Sequence, residues 1–284
     1  MMVNAWARGL RVLPLVAAIA LSGCASAPTL QATLKPTDQF IALESDARVL
    51  FEPGAQNYAQ EVARLLPQAV AEVEAGHYRP FPDPLKVYVC GSDACFANYV
   101  TTPNLSAAVV PNNRLFLAPR LFAAEARRLP AILTHELSHL HMGQQIGHFS
   151  HTVPTWFHEG LAAHVSRGGG AEFASDEESR QAMREGRRFE PEARDSIGSR
   201  NRGERLGLST HVFYRQSMMF VGYLKQMAED KFRDFLVAVE DRADFELSFG
   251  KAFDMDLAAA GRRFFAVQTG STDTLGANAA PEIR

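Results

Sequence analysis

Four side chains in the middle of the chain have the types and spacing of a hydrolytic metal site. The stretch LTHELSHLHM holds His135, Glu136 and His139 in the order HExxH, and Glu159 follows twenty positions after His139 in PTWFHEGLAAH. Two imidazoles four residues apart stand on one face of a helix, so both can turn a ring nitrogen toward one Zn²⁺. Glu136, one residue after the first ligand, reaches a water on the open side of that metal. A catalytic zinc takes three protein ligands and keeps a fourth position for water, and two His with a downstream Glu supply this set. The pattern reads as a zinc hydrolase.

HELSH followed by WFHEGLA resembles the gluzincin metallopeptidases, the thermolysin and aminopeptidase superfamily. More narrowly, it is similar to bacterial peptidase-like domains that carry an HExxH helix and a WxxEGxA helix. The resemblance runs from about Asn113 to about Leu236. It implies a zincin-like fold, zinc on His135, His139 and Glu159, and a water polarised by Glu136. A metzincin would need Gly three residues after the second His and a ligand His six after; Met142 and Gln145 occupy those places. His158 departs from the pattern, since related domains often carry Asn or another small polar residue before the ligand Glu.

The resemblance also implies a downstream Tyr or His that donates to the oxyanion of the tetrahedral intermediate, whose charge needs more support than the metal gives. Tyr214 is the candidate, because FYRQSMMFVGYL resembles the helix that follows WxxEGxA, and His211 is the runner-up. By analogy, residues 114–118 would form an edge strand able to pair with an extended peptide. The reaction expected is hydrolysis of a peptide bond, with Glu136 taking a proton from water and passing it to the leaving amine. No Gly-x-Met-Glu-Asn signature for a substrate amino terminus is present, which favours an endopeptidase over an aminopeptidase. The alternative from another class is a catalytically inactive zinc-binding lipoprotein that holds a peptide or protein partner. His141, His148, His151, His158 and His164 crowd the region and are read as surface or supporting residues; His141 lies two positions from His139 and so points to another helix face.

The N-terminus speaks to location. Arg8 and Arg11 precede an apolar run from Val12 to Leu21, too short to span ~30 Å of hydrocarbon, so the segment reads as a signal peptide. Its Leu21-Ser22-Gly23-Cys24 ending resembles the bacterial lipobox, which implies lipid on Cys24. Ala25 after the Cys implies, by the same resemblance, the outer membrane. Of the other cysteines, Cys90 and Cys95 flank a turn-prone Gly-Ser-Asp, and an even remainder in an exported chain favours a disulfide.

Removing residues 1–23 takes away Arg8 and Arg11 and moves the formal charge from −3 to −5. A mildly acidic chain without basic clusters lacks the electrostatic footprint of a nucleic-acid binder. The expected layout is a signal peptide (1–23), Cys24 with a tether to residue 38, one peptidase domain (39–268) and a disordered tail (269–284). The domain reads as α+β, with a β-containing N-terminal lobe and a mainly helical C-terminal lobe. Strand patterns fall at 47–52, 85–90, 107–110 and 114–118; helical spacing marks 56–76, 131–145, 211–227, 232–239 and 257–265. Residues 172–188 are charged and read as possible helix, and 187–207 as an Arg-rich loop. Three glycines at 168–170 read as a helix stop.

Overall fold

The computed structural model describes Ala32 and residues 34–102, 104–147, 152–194 and 202–270. Within them the chain is α+β, with a five-stranded mixed sheet and eleven helices. The strands are β1 (Ile41–Leu43), β2 (Asp46–Phe51), β3 (Val87–Val89), β4 (Ala107–Val110) and β5 (Arg114–Leu117), in the order β1-β2-β3-β5-β4. β2, β3 and β5 run parallel, while β1 and β4 pair antiparallel at the two edges.

The expectation that residues 114–118 form the edge strand does not hold. Asn112 and Asn113 take φ of 67° and 55°, left-handed values that a tight hairpin turn requires and Asn tolerates. The turn folds β4 back along one flank of β5, and β3 occupies the other flank. β4 is the edge beside the helix that carries HExxH.

Helix α1 (Gln56–His77) crosses from β2 to β3. Its apolar residues Tyr58, Val62, Leu66, Ala69 and Val73 recur every three or four positions and are at most 4% exposed, so this face closes one side of the sheet. On the other side lies α2 (Asp93–Tyr99), whose first turn is capped by the Ser92 hydroxyl accepting from the Cys95 N–H. The Cys90 and Cys95 sulfurs are within bonding distance, 2.08 Å, across this turn. Phe116 stacks on Tyr88 at 4.8 Å and on Tyr99 at 4.3 Å, building a small second core with Phe40. β3 is therefore covered on both faces, Val87 and Val89 by the main core and Tyr88 by the second.

After β5 the described residues are helical: α3 (Arg120–Ala123), α4 (Leu129–Ile146), α5 (Thr155–Val165), α6 (Asp176–Arg184), α7 (Arg202–Arg205), α8 (Thr210–Met227), α9 (Glu229–Glu240), α10 (Phe245–Phe253) and α11 (Leu257–Thr269). Trp156 and Phe157, both fully buried, anchor a cluster that includes Phe189, Phe220, Phe235 and Phe245. Helix α4 stands between this cluster and the sheet, and eleven of its residues are buried, so it is enclosed on most sides.

α11 continues to Thr269, where Gly270 at φ 70° closes it. The described part of the expected tether lies against the domain: Arg114 donates to the carbonyls of Lys35 (3.0 Å) and Ala32 (3.4 Å), and the Tyr99 hydroxyl donates to that of Pro36 (2.8 Å). The signal segment, Cys24, His148, His151 and residues 271–284 lie outside the described residues. No helix among the described residues is long and apolar enough to cross a membrane.

Candidate metal centre

α4 begins with Pro130 in its first turn, a position that needs no N–H and suits the fixed φ of proline. Leu129, Ile132, Leu133, Leu137 and Leu140 fix the helix in the core, and His135 and His139 share the face turned to α5. α5 brings Glu159 to that face. Trp156, Phe157 and Leu161 of the same helix are buried and hold it in the core, with the Trp156 indole N–H donating to the Glu192 carbonyl at 2.9 Å. The glycine of the WxxEGxA pattern has a steric reason: a Cβ on Gly160 would stand 2.7 Å from the Ser217 carbonyl oxygen of α8. Only glycine allows α5 and α8 to pack this closely.

Three donor atoms converge. His135 Nε2 and His139 Nε2 are 3.0 Å apart, and Glu159 Oε2 lies 3.4 Å from the first and 3.3 Å from the second. Ligands of a tetrahedral ion with bonds of 2.0–2.1 Å sit ~3.3–3.4 Å from one another, so the two carboxylate separations match the edges of such a site and the 3.0 Å between the imidazoles is slightly shorter than one. Glu159 Oε2 is buried yet makes no hydrogen bond. A buried carboxylate oxygen without a partner is costly unless a cation meets it. The cluster could hold a metal ion, and two imidazoles with one carboxylate suit Zn²⁺ among several first-row ions.

The electrostatics agree. Burial favours a neutral carboxyl on Glu159, but the imidazoles of His139 and His135 outweigh it and hold the group well below the usual carboxylate range. Burial also dominates at Glu136, where it pushes the carboxyl up against the pull of the two imidazoles; the Val109 N–H of β4 is hydrogen-bonded to it. The edge strand thus touches the residue expected to handle protons.

Tyr214 on α8 stands beside the cluster, its ring stacked over His135 with centroids 6.2 Å apart. His211, one turn earlier, donates through Nδ1 to the Gly170 carbonyl at 2.8 Å. His158 lies flat on His139, at 4.2 Å and 18° between ring planes. His141 is not at the surface but fully buried on another flank of α4, and His164 faces α8 near Gly222. Comparison with known proteins gives no further guide. No family model matches the chain, and no curated protein matches it.

One contributor was not legible as such. The glycines at 168–170 do end a helical segment, but Gly170, at φ 79°, also lies against the His135 ring, where an added Cβ would come within 2.8 Å of Cε1. Gly170→Ala combines backbone strain with displacement of a ligand ring. Its metal affinity should fall ~10–100-fold, the usual cost of disturbing a ligand's support. Chelator competition would measure it, and wild-type affinity would show that the ring has room to move.

Proposed function

We propose that the protein is a zinc-dependent peptidase, of the gluzincin type, that works in the bacterial cell envelope. The observation that carries this reading is the orphaned Glu159 Oε2, set 3.3–3.4 Å from two imidazole nitrogens that are themselves 3.0 Å apart. His135, His139 and Glu159 would hold the ion. Zinc, when bound, supplies a Lewis acid and lowers the pKa of a water toward ~7. The chain supplies the rest. Glu136, partly buried and with its carboxyl raised by desolvation, is suited to take a proton from water and return it to the leaving amine. Tyr214 is the candidate donor to the oxyanion, and His211, committed through Nδ1 to Gly170, stands next to it as the runner-up. The outer edge of β4 is where an extended peptide would add as a further strand.

The testing experiment measures bound metal and peptide-library cleavage on the full chain. One zinc per chain with cleavage abolished by chelation and restored by zinc supports the reading. Zinc bound with no peptide cleaved would favour a binding protein, and no metal bound would remove the basis of both.

The envelope location rests on the lipobox resemblance. Metabolic labelling with a fatty-acid probe should mark the wild-type chain and not Cys24→Ala; equal labelling of the two would refute it.

A further inference from the structure

A second group of polar side chains lies on α4, turned about 110° from the His135–His139 face at ~100° per residue. Ser138 Oγ is 2.8 Å from His77 Nε2, and His77 Nδ1 is 2.5 Å from Glu240 Oε1. The three residues come from α4, α1 and α9 and are at most 2% exposed. Beside them His141 Nε2 lies 3.2 Å from the carbonyls of Arg79 and Pro80, and its Nδ1 lies 3.4 Å from Glu240 Oε1.

Hydroxyl, imidazole and carboxylate stand in the order of a nucleophilic triad, but no substrate reaches a serine this buried. The group also invites comparison with a metal site, since it offers two His and a Glu. Its distances answer otherwise. The His77–Glu240 separation of 2.5 Å is a charge-assisted hydrogen bond, well inside the ~3.3 Å edge between ligands of a tetrahedral ion. Arg79 Nε, 3.4 Å from Glu240 Oε2, already brings positive charge to the carboxylate. Burial holds His77 below its usual range and keeps it neutral, so Nδ1–H donates to Glu240 and Nε2 accepts from the Ser138 hydroxyl.

We propose that the Ser138–His77–Glu240 chain is a positioning device, which fixes the rotation of α4 about its own axis and thereby the aim of His135 and His139. Leucines and isoleucines fill most of the remaining contacts of α4, and such packing tolerates small rotations. Buried polar pairs, by contrast, are best known for setting register. The sensitivity is high: a turn of ~10° moves a nitrogen roughly 7 Å from the helix axis by more than ~1 Å, where a working site tolerates ~0.5 Å.

The inference rests on the metal reading of the first cluster, and the test separates the two. Zn²⁺ affinity by chelator competition, zinc per chain, and melting of the metal-free protein would be measured on the full chain as wild type, Ser138→Ala and Glu240→Gln. Alanine is the better helix former and removes one hydroxyl, so the fold should stand. Ser138→Ala should bind zinc ~10–100-fold more weakly at one ion per chain. Glu240→Gln keeps an oxygen acceptor for His77 and should stay within a few-fold of wild type. Wild-type zinc affinity in Ser138→Ala, even with a lower melting temperature, would overturn the positioning role and leave the first cluster's reading intact. Two zinc ions per wild-type chain, one of them lost in Glu240→Gln, would overturn it in favour of a second metal site. No zinc in any of the three would overturn both readings together.

Discussion

Glu136→Gln should leave the metal bound and cut peptide hydrolysis by at least ~10²-fold, the usual worth of a positioned general base. The amide has the shape of the carboxylate and can still accept from the Val109 N–H, so β4 and α4 should keep their contact. It cannot take a proton from water at neutral pH. Stability should move the other way. Glu136 has a folded pKa raised by burial, so the group costs stability above the usual carboxylate range, a cost that grows as pH rises toward the folded value and levels off beyond it. Glutamine never carries that charge. The metal-free variant should therefore melt at the wild-type temperature or above it at pH 7, while turnover collapses. Hydrolysis that survives the substitution would show that another group handles the proton.

Tyr214→Phe should lower kcat by ~10²–10³, about 2.7–4 kcal/mol, with metal content unchanged. The ring is retained, so its stack over His135 and the packing of α8 are kept and only the hydroxyl is lost. A tyrosine that serves only the core would give the opposite pattern, a stability loss of ~1 kcal/mol with turnover near normal. Measuring kcat and Tm on the same preparation distinguishes the outcomes. Normal turnover would pass the role to His211, whose Nδ1 is already committed to the Gly170 carbonyl.

The parts of this site that a reader of the sequence can find are those set by helix geometry. His135 and His139 meet because four residues make about one turn, and no tertiary information is needed. Glu159 is different. Its arrival beside them depends on α5 packing against α8 at Gly160, so the spacing alone does not dictate it. Strand positions were legible from local patterning, but their order was not. Residues 114–118 look like an edge only until the left-handed Asn112 and Asn113 fold β4 over one flank. The helix at Phe245–Phe253 is hard to read in the sequence because its buried aromatics, four residues apart, make a stripe barely two turns long. His77 and Glu240 are 163 positions apart, and each taken alone is an ordinary helical residue. Their pairing exists only once α1 and α9 are both docked on α4.

The grip of Arg114 on the carbonyls of Ala32 and Lys35 sets a leash length. With lipid on Cys24, eight residue steps separate the anchor from Ala32, and fully extended they span at most about 29 Å. The body of the protein would ride within roughly its own diameter of the bilayer, however long residues 25–38 look on paper. Proteins and peptides that pass close to the lipid surface would be within range of the candidate metal centre, and those deeper in the compartment would not. Loosening Arg114 would pay out several more residues of line and widen the zone the candidate metal centre can patrol.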